Sequence, residues 1–151
     1  MDKQLIELLG RNKLTDELLR ADLEVARPLR DRGIDLIAYA DTESKVGAFV
    51  ARPIQMKASS YQAFGIDKKY GKFRDLLLAY VWNLDSKSEP ITFALTYDEA
   101  LQIATAMGYT KTESWKRGTY TTTRPSARLR ALLEPYGMTP ERWWDRVVLG
   151  N

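Results

Sequence analysis

The sequence predicts an α+β fold, or mixed α/β. Three observations carry this: a helical period over 3–21, five short apolar runs between residues 23 and 96, and a return to helical spacing after Thr96. At 151 residues the chain suits a single domain with a proper core. The core is expected over about 1–107, with a basic, helical extension over about 108–151.

In the first helix Leu14, Leu18 and Ala21 share one face, while Leu5, Leu9 and Leu23 lie roughly on the other. Gly10 weakens the middle of that helix, so a break is admitted there. "LEVARP" reads as a short strand ended by Pro28. Residues 34–40 and 48–57 read as strands joined by a polar loop that turns near 44–45. Residues 58–74, "ASSYQAFGIDKKYGKFR", read as loop or short helix, and "DLLLAYVWNL" as a strongly apolar strand. In that strand Tyr80 and Trp82 are expected in the core. "ITFALT" is a further strand.

Thr96 and Glu99 form a T-x-x-E capping box, opening a helix with Ala100, Ile103, Ala104 and Met107 on one face; Gly108 ends it. Residues 111–125 are polar and Thr-rich, anchored by Trp115 and Tyr120. A basic helix follows over 126–134. The last helix begins at Thr139 with Pro140 in its first position, and at least one of Trp143 and Trp144 is expected to pack on the core.

The composition, 44% apolar and 28% charged, is that of a globular protein. No apolar run is long enough to span a bilayer, and "MDKQLIELLG" lacks the layout of a signal peptide. A cytoplasmic protein without a membrane partner is therefore the expectation. There is no cysteine and no histidine. That excludes thiol catalysis, histidine-based triads and ordinary structural zinc sites. A metal, if used, must be hard and oxygen-liganded.

Net charge is +3, unevenly spread. Lys111, Lys116, Arg117, Arg124, Arg128 and Arg130 stand against Glu113 alone in 111–130, while Lys68, Lys69, Lys72 and Arg74 form a second cluster. Such density suggests a polyanion contact, and a solvated surface is the plainer alternative.

Two of the predicted strands carry polar interruptions. Asp35 breaks "GIDLIAY", and Gln55 and Lys57 break "PIQMKAS". Alternation puts Asp35, Ile37 and Tyr39 on one face, and Gln55 with Lys57 on one face of the partner. A hairpin would set Asp35 opposite 53–55, so the three polar side chains converge. Charges in a strand core are costly unless paired or bound to something. A plain Asp35–Lys57 ion pair is the structural alternative.

The pattern Gly33-x-Asp35 followed by Gln55-x-Lys57 resembles the PD-(D/E)XK nuclease superfamily, in particular its Mrr-type and archaeal Holliday-junction-resolvase-like branches. The resemblance covers roughly residues 5–84. It implies a restriction-endonuclease-like core with a central mixed sheet, and a metal-dependent DNA endonuclease. Asp35 would bind Mg²⁺ or Mn²⁺ with the backbone carbonyl of Met56, Gln55 would take the second acid's place, and Lys57 would orient or activate the attacking water. Lys68, Lys69, Lys72, Lys116, Arg117, Arg124, Arg128 and Arg130 would contact DNA. The resemblance also admits a homodimer, since both strands of a duplex must be cut. Two positions depart from the pattern: Gln55 replaces an acid, and Arg11 stands where a helical Glu is usual. Glu7, one turn earlier, either replaces that acid or pairs with Arg11. An inactive nuclease-like binding module is the alternative function.

Overall fold

The computed structural model describes residues 1–41, 43 and 47–150. Helix α1 (Lys3–Arg20) is capped by Asp2, whose carboxylate accepts the Leu5 N–H at 2.9 Å. It is continuous through Gly10. Ile6, Gly10, Leu14 and Leu18 form its buried stripe, so the expected weak point is a contact point instead. A Cβ at Gly10 would lie 2.9 Å from that of Ala58 and 3.0 Å from Met56 Sδ. Glycine lets the helix approach the sheet that closely.

The chain then forms β1 (Glu24–Ala26), β2 (Leu36–Tyr39), β3 (Ala51–Ala58), β4 (Phe64–Asp67), β5 (Leu77–Trp82) and β6 (Ile91–Thr96). Five of these make one mixed sheet in the order β1-β2-β3-β5-β6; β3 and β5 run parallel and the other pairs antiparallel. The turn expected near 44–45 lies outside the described residues. Every residue of β5 is buried, as expected of a strand covered on both faces. The architecture is the mixed α+β class the sequence predicts.

Helices α2 (Tyr97–Ala106), α3 (Glu113–Lys116), α4 (Ala127–Leu133) and α5 (Pro140–Trp144) follow, with β7 (Thr119–Thr122) between α3 and α4. The capping box at Thr96 is formed in both directions: Thr96 Oγ1 accepts from the Glu99 N–H at 3.2 Å, and Glu99 Oε1 from the Thr96 N–H at 2.8 Å. Buried Arg146 donates to the same carboxylate at 2.7 and 2.9 Å, tying the chain's end to the start of α2.

Two strands lie where none is expected, one in the segment read as loop or short helix and one in the polar, Thr-rich segment 111–125. Residues 64–67 and 119–122 pair as a separate two-stranded antiparallel sheet, β4-β7. This small sheet is stitched over one face of the large one. Tyr80 Oη donates to the Gly65 carbonyl at 2.6 Å and Trp82 Nε1 to the Ala63 carbonyl at 2.7 Å. Burial without a charged partner pushes the Tyr80 hydroxyl far above the usual phenol range.

The sheet separates two cores. On one face Leu14 and Leu18 of α1 pack with Leu36, Ile54 and Leu77, joined by Trp143 and Val147 from the last turns of the chain. On the other, Leu78, Tyr80 and Trp82 meet Phe64, Ile66 and Tyr70, with α2, Trp115 and α4 completing the layer. Trp143 is the core tryptophan of the terminal pair, and Trp144 is half-buried. The segment after residue 107 thus contributes to both layers. Among the described residues no helix is long and apolar enough to cross a membrane.

Candidate active site

Gly33 takes φ +93°, in the left-handed region that favours glycine, and turns the chain into β2. Asp35 follows at the strand's threshold. The register sets Leu36 against Ile54, so Asp35 arrives beside Gln55. Its own N–H donates to the Ile54 carbonyl at 2.9 Å. Its Oδ2 accepts the Met56 N–H at 2.7 Å and Gln55 Nε2 at 3.3 Å. The carboxylate therefore continues the β2–β3 ladder by one bond after the backbone has turned away. In a strand the N–H and C=O of one residue point to the same side, so the Met56 carbonyl also faces this corner.

Asp35 is half-buried, and that burial pushes its carboxyl above the usual carboxylate range. The Met56 N–H and the Arg11 guanidinium oppose the rise; Asp31 and, least, Glu7 add to it. Lys57 follows on β3, its Nζ 5.5 Å from the centre of the Tyr70 ring. Burial holds its ammonium below the usual lysine range. Asp67 opposes this, Lys69 deepens it, and Asp35 has the smallest influence. Among the described residues no ion pair joins Asp35 to Lys57, so simple mutual neutralisation does not explain the two charges.

Two buried polar atoms around Asp35, Gln55 Oε1 and Arg11 Nε, have no hydrogen-bond partner among the described residues. An orphaned buried acceptor is costly and calls for a donor, a water or a cation. With the Asp35 carboxylate and the Met56 carbonyl, Gln55 Oε1 would offer a cation hard oxygen donors. Mg²⁺ suits such a set, since it commonly keeps several waters and takes one or two carboxylates. Among the described residues no group of three or more acids stands close enough to hold a metal without such help.

Glu7 is exposed and lies outside the buried stripe of α1. It reaches the site through its charge alone. Asp67 and Tyr70 were not legible as site residues, because they arrive through β4 and the single 3₁₀ turn Lys68–Tyr70 that follows it. The signal available in the sequence is an acid and an aromatic flanking two lysines, "DKKY", directly after "FGI".

The β4-β7 pairing draws the two basic clusters together. The Lys68 N–H donates to the Gly118 carbonyl at 2.9 Å, and Lys68 Nζ lies 5.0 Å from the Trp115 ring centre. Lys69 Nζ sits 5.0 Å from the Tyr70 ring centre and 3.9 Å from Asp67 Oδ2. It thus joins the basic surface to the Lys57 corner. Lys68, Lys69, Lys72, Lys116 and Arg117 are all on the surface; Lys116 pairs with Glu113 at 3.1 Å. Arg124 lies beyond the opposite end of the small sheet, since Thr122 pairs with Phe64. Arg130 lines a groove with Gln62 and Trp82. Lys68, Lys69, Lys72, Lys116 and Arg117 therefore lie on the Lys57 side of the small sheet, Arg124 and Arg130 lie apart from them, and Arg128 is exposed on α4.

Neither of two surface grooves, of about 580 and 620 Å³, is lined by Asp35, Gln55 or Lys57. The first carries Asp22, Asp41, Glu43, Glu141 and Asp145, a lining that repels a polyanion. The candidate site is an open corner of the sheet.

No protein-family model, curated protein or solved structure is found to match the chain.

Proposed function

We propose that the protein is a divalent-metal-dependent DNA endonuclease of the PD-(D/E)XK type, with Asp35, Gln55 and Lys57 as its working residues. The observation that carries this is the corner itself: a carboxylate, an orphaned amide oxygen and a half-buried ammonium converge from positions 35, 55 and 57. Asp35, Gln55 Oε1 and the Met56 carbonyl would hold Mg²⁺ or Mn²⁺. When bound, such a cation lowers the pKa of a coordinated water and offsets phosphate charge, which removes the need for a histidine.

The chain's own groups supply the rest. The Met56 N–H fixes the Asp35 carboxylate in place. Lys57 Nζ, held against Tyr70 with a lowered pKa, is suited to orient the attacking water and to exchange a proton during cleavage. In that cleavage the water oxygen bonds to phosphorus and the bond to one sugar oxygen breaks. The Lys68, Lys69, Lys72, Lys116 and Arg117 surface supports the DNA backbone beside the cut.

One observation favours a second reading. The Arg11 guanidinium stands near enough to lower the Asp35 pKa, and it supplies positive charge that a metal would otherwise bring. A chain that keeps the nuclease scaffold but binds DNA or a protein without cutting fits that arrangement. Plasmid cleavage separates the two. Conversion of supercoiled DNA to nicked or linear forms with Mg²⁺ or Mn²⁺, stopped by EDTA and lost in Asp35→Ala and Lys57→Ala, establishes the nuclease. DNA binding unaffected by EDTA, with no cutting by the folded wild type, establishes the second reading.

A further inference from the structure

The stretch that carries the chain from β1 towards Asp35 reads "RPLRDRG" over residues 27–33. Leu29 in this loop is 102% exposed, as open to solvent as in a free peptide and more so than any other large apolar side chain among the described residues. Arg27, Arg30 and Arg32 around it are exposed too, and among the described residues none of them joins an ion pair. The single acid, Asp31, is turned to its own backbone, where Oδ1 accepts the Gly33 N–H at 3.5 Å. Pro28, with its fixed φ, restricts the backbone just before the leucine. The loop thus presents one apolar side chain to solvent inside a ring of free cations.

We infer that Leu29 is a wedge that enters a base step of duplex DNA from the minor groove, beside the Asp35 corner, while Arg27, Arg30 and Arg32 hold the groove around it. The inference rests on the proposed action on DNA and names the kind of DNA preferred. Two features of the fold select this partner. The strands β1 and β2 are antiparallel, with Ala26 against Ile37, so one end of the pair carries this loop and the other carries Asp22 and Asp41. A polyanion is repelled from the acidic end and drawn to the arginine end, where Asp35 stands. A Cβ at Gly33 would also lie 3.9 Å from Tyr70 Cε1, so the loop borders the turn that bears Lys68 and Lys69. DNA lying across the corner between these two sets of cations passes the leucine. An apolar side chain among arginines is the means by which minor-groove binders part a base step: the cations hold phosphates and groove edges, and the wedge replaces a stacked neighbour. Parting costs least where pairing is already broken, so this loop favours DNA with a mismatch or another weakened step near the cut.

Binding of the full chain to matched and mismatched duplexes that carry 2-aminopurine beside the variable step tests this. It is read at low salt in EDTA and, with Mg²⁺, in the Lys57→Ala background, so that no cutting interferes. The expected result is that mismatched DNA binds about tenfold tighter than matched DNA, and that 2-aminopurine fluorescence rises as its step opens. Leu29→Ala should bring the ratio close to one and abolish the rise, and Leu29→Met should restore both. Matching thermal melts verify that these fully exposed substitutions keep the fold. Arg30→Ala should weaken both duplexes alike and lower the salt slope by about 1, leaving the ratio as it was. A mismatch preference that survives Leu29→Ala overturns the inference and leaves the nuclease reading standing. So does DNA binding by the wild type with neither preference nor fluorescence rise. Failure of the folded wild type to bind any DNA overturns both, including the case in which Leu29 instead drives binding to anionic phosphatidylserine vesicles.

Discussion

Gly10→Ala sets helix propensity against packing, and the two predict opposite signs. In a helix interior alanine is favoured over glycine by about 1 kcal/mol. The added methyl, however, would stand 2.9 Å from Ala58 Cβ, 3.0 Å from Met56 Sδ and 3.3 Å from Leu84 Cδ1. The two flexible side chains can yield. Ala58 Cβ cannot, because it has no rotamer and its backbone is held in the ladder opposite Val81. Overpacking of this kind costs about 1–3 kcal/mol, and a rigid neighbour argues for the upper part of that range. The net expectation is a loss of about 1–2 kcal/mol, a fall of about 2–8 °C in Tm for a chain of this size. Urea denaturation with an unchanged m-value is the assay. A double-mutant cycle sharpens it: in an Ala58→Gly background the penalty should shrink by about 1 kcal/mol or more. A Gly10→Ala protein as stable as wild type, or more so, would refute the packing argument and leave propensity in charge.

Two further outcomes follow from the site. Asp35 binds its proton more readily folded than unfolded, so stability falls as pH rises through the window just above the usual carboxylate range, and the cost persists at neutral pH. Asp35→Asn should therefore stabilise the fold at neutral pH and lose that advantage as the solution is acidified through the same window. Thermal melts from neutral to acid check this, and a difference that does not shrink in acid rules out burial of the charge as its cause. For DNA binding, Lys69→Ala and Lys116→Ala should each lower the slope of log K against log salt by about 1, whereas Arg124→Ala, beyond the far end of the small sheet, should leave it unchanged. Fluorescence anisotropy across a salt series reads the slopes, and equal effects from all three variants would contradict the division of the basic surface.

What the sequence discloses, and what it hides, follows from the range of the interactions. The Thr96–Glu99 cap is decided within four residues and is formed as expected. The apolar run of β5 announces itself because both its faces are buried. By contrast "FGID" carries little strand signal, and "TYTT", though its residue types favour strands, is short and polar; each finds its partner more than fifty residues away. Their pairing is what delivers Asp67, Tyr70 and Lys69 to Lys57, so that half of the corner is invisible until the small sheet exists. The inward stripe of α1 is ambiguous for another reason. With leucines on both faces, the periodicity does not say which face meets the sheet, and only the close approach at Gly10 decides it.

The small sheet also imposes an order on assembly. A ribosome releases β2 and β3, with Asp35, Gln55 and Lys57, well before it releases β7. Until Thr119–Thr122 emerges, β4 has no strand beside it, and the turn that presses Tyr70 against Lys57 lacks its Lys68–Gly118 backbone bond while keeping the ties from Tyr80 and Trp82. A nascent or truncated chain would hold its acid and its amide in register while its lysine stayed largely solvated, with an ordinary affinity for protons. The polar corner would thus take on its final electrostatic character late, when most of the chain has been made and the fold is nearly closed around it.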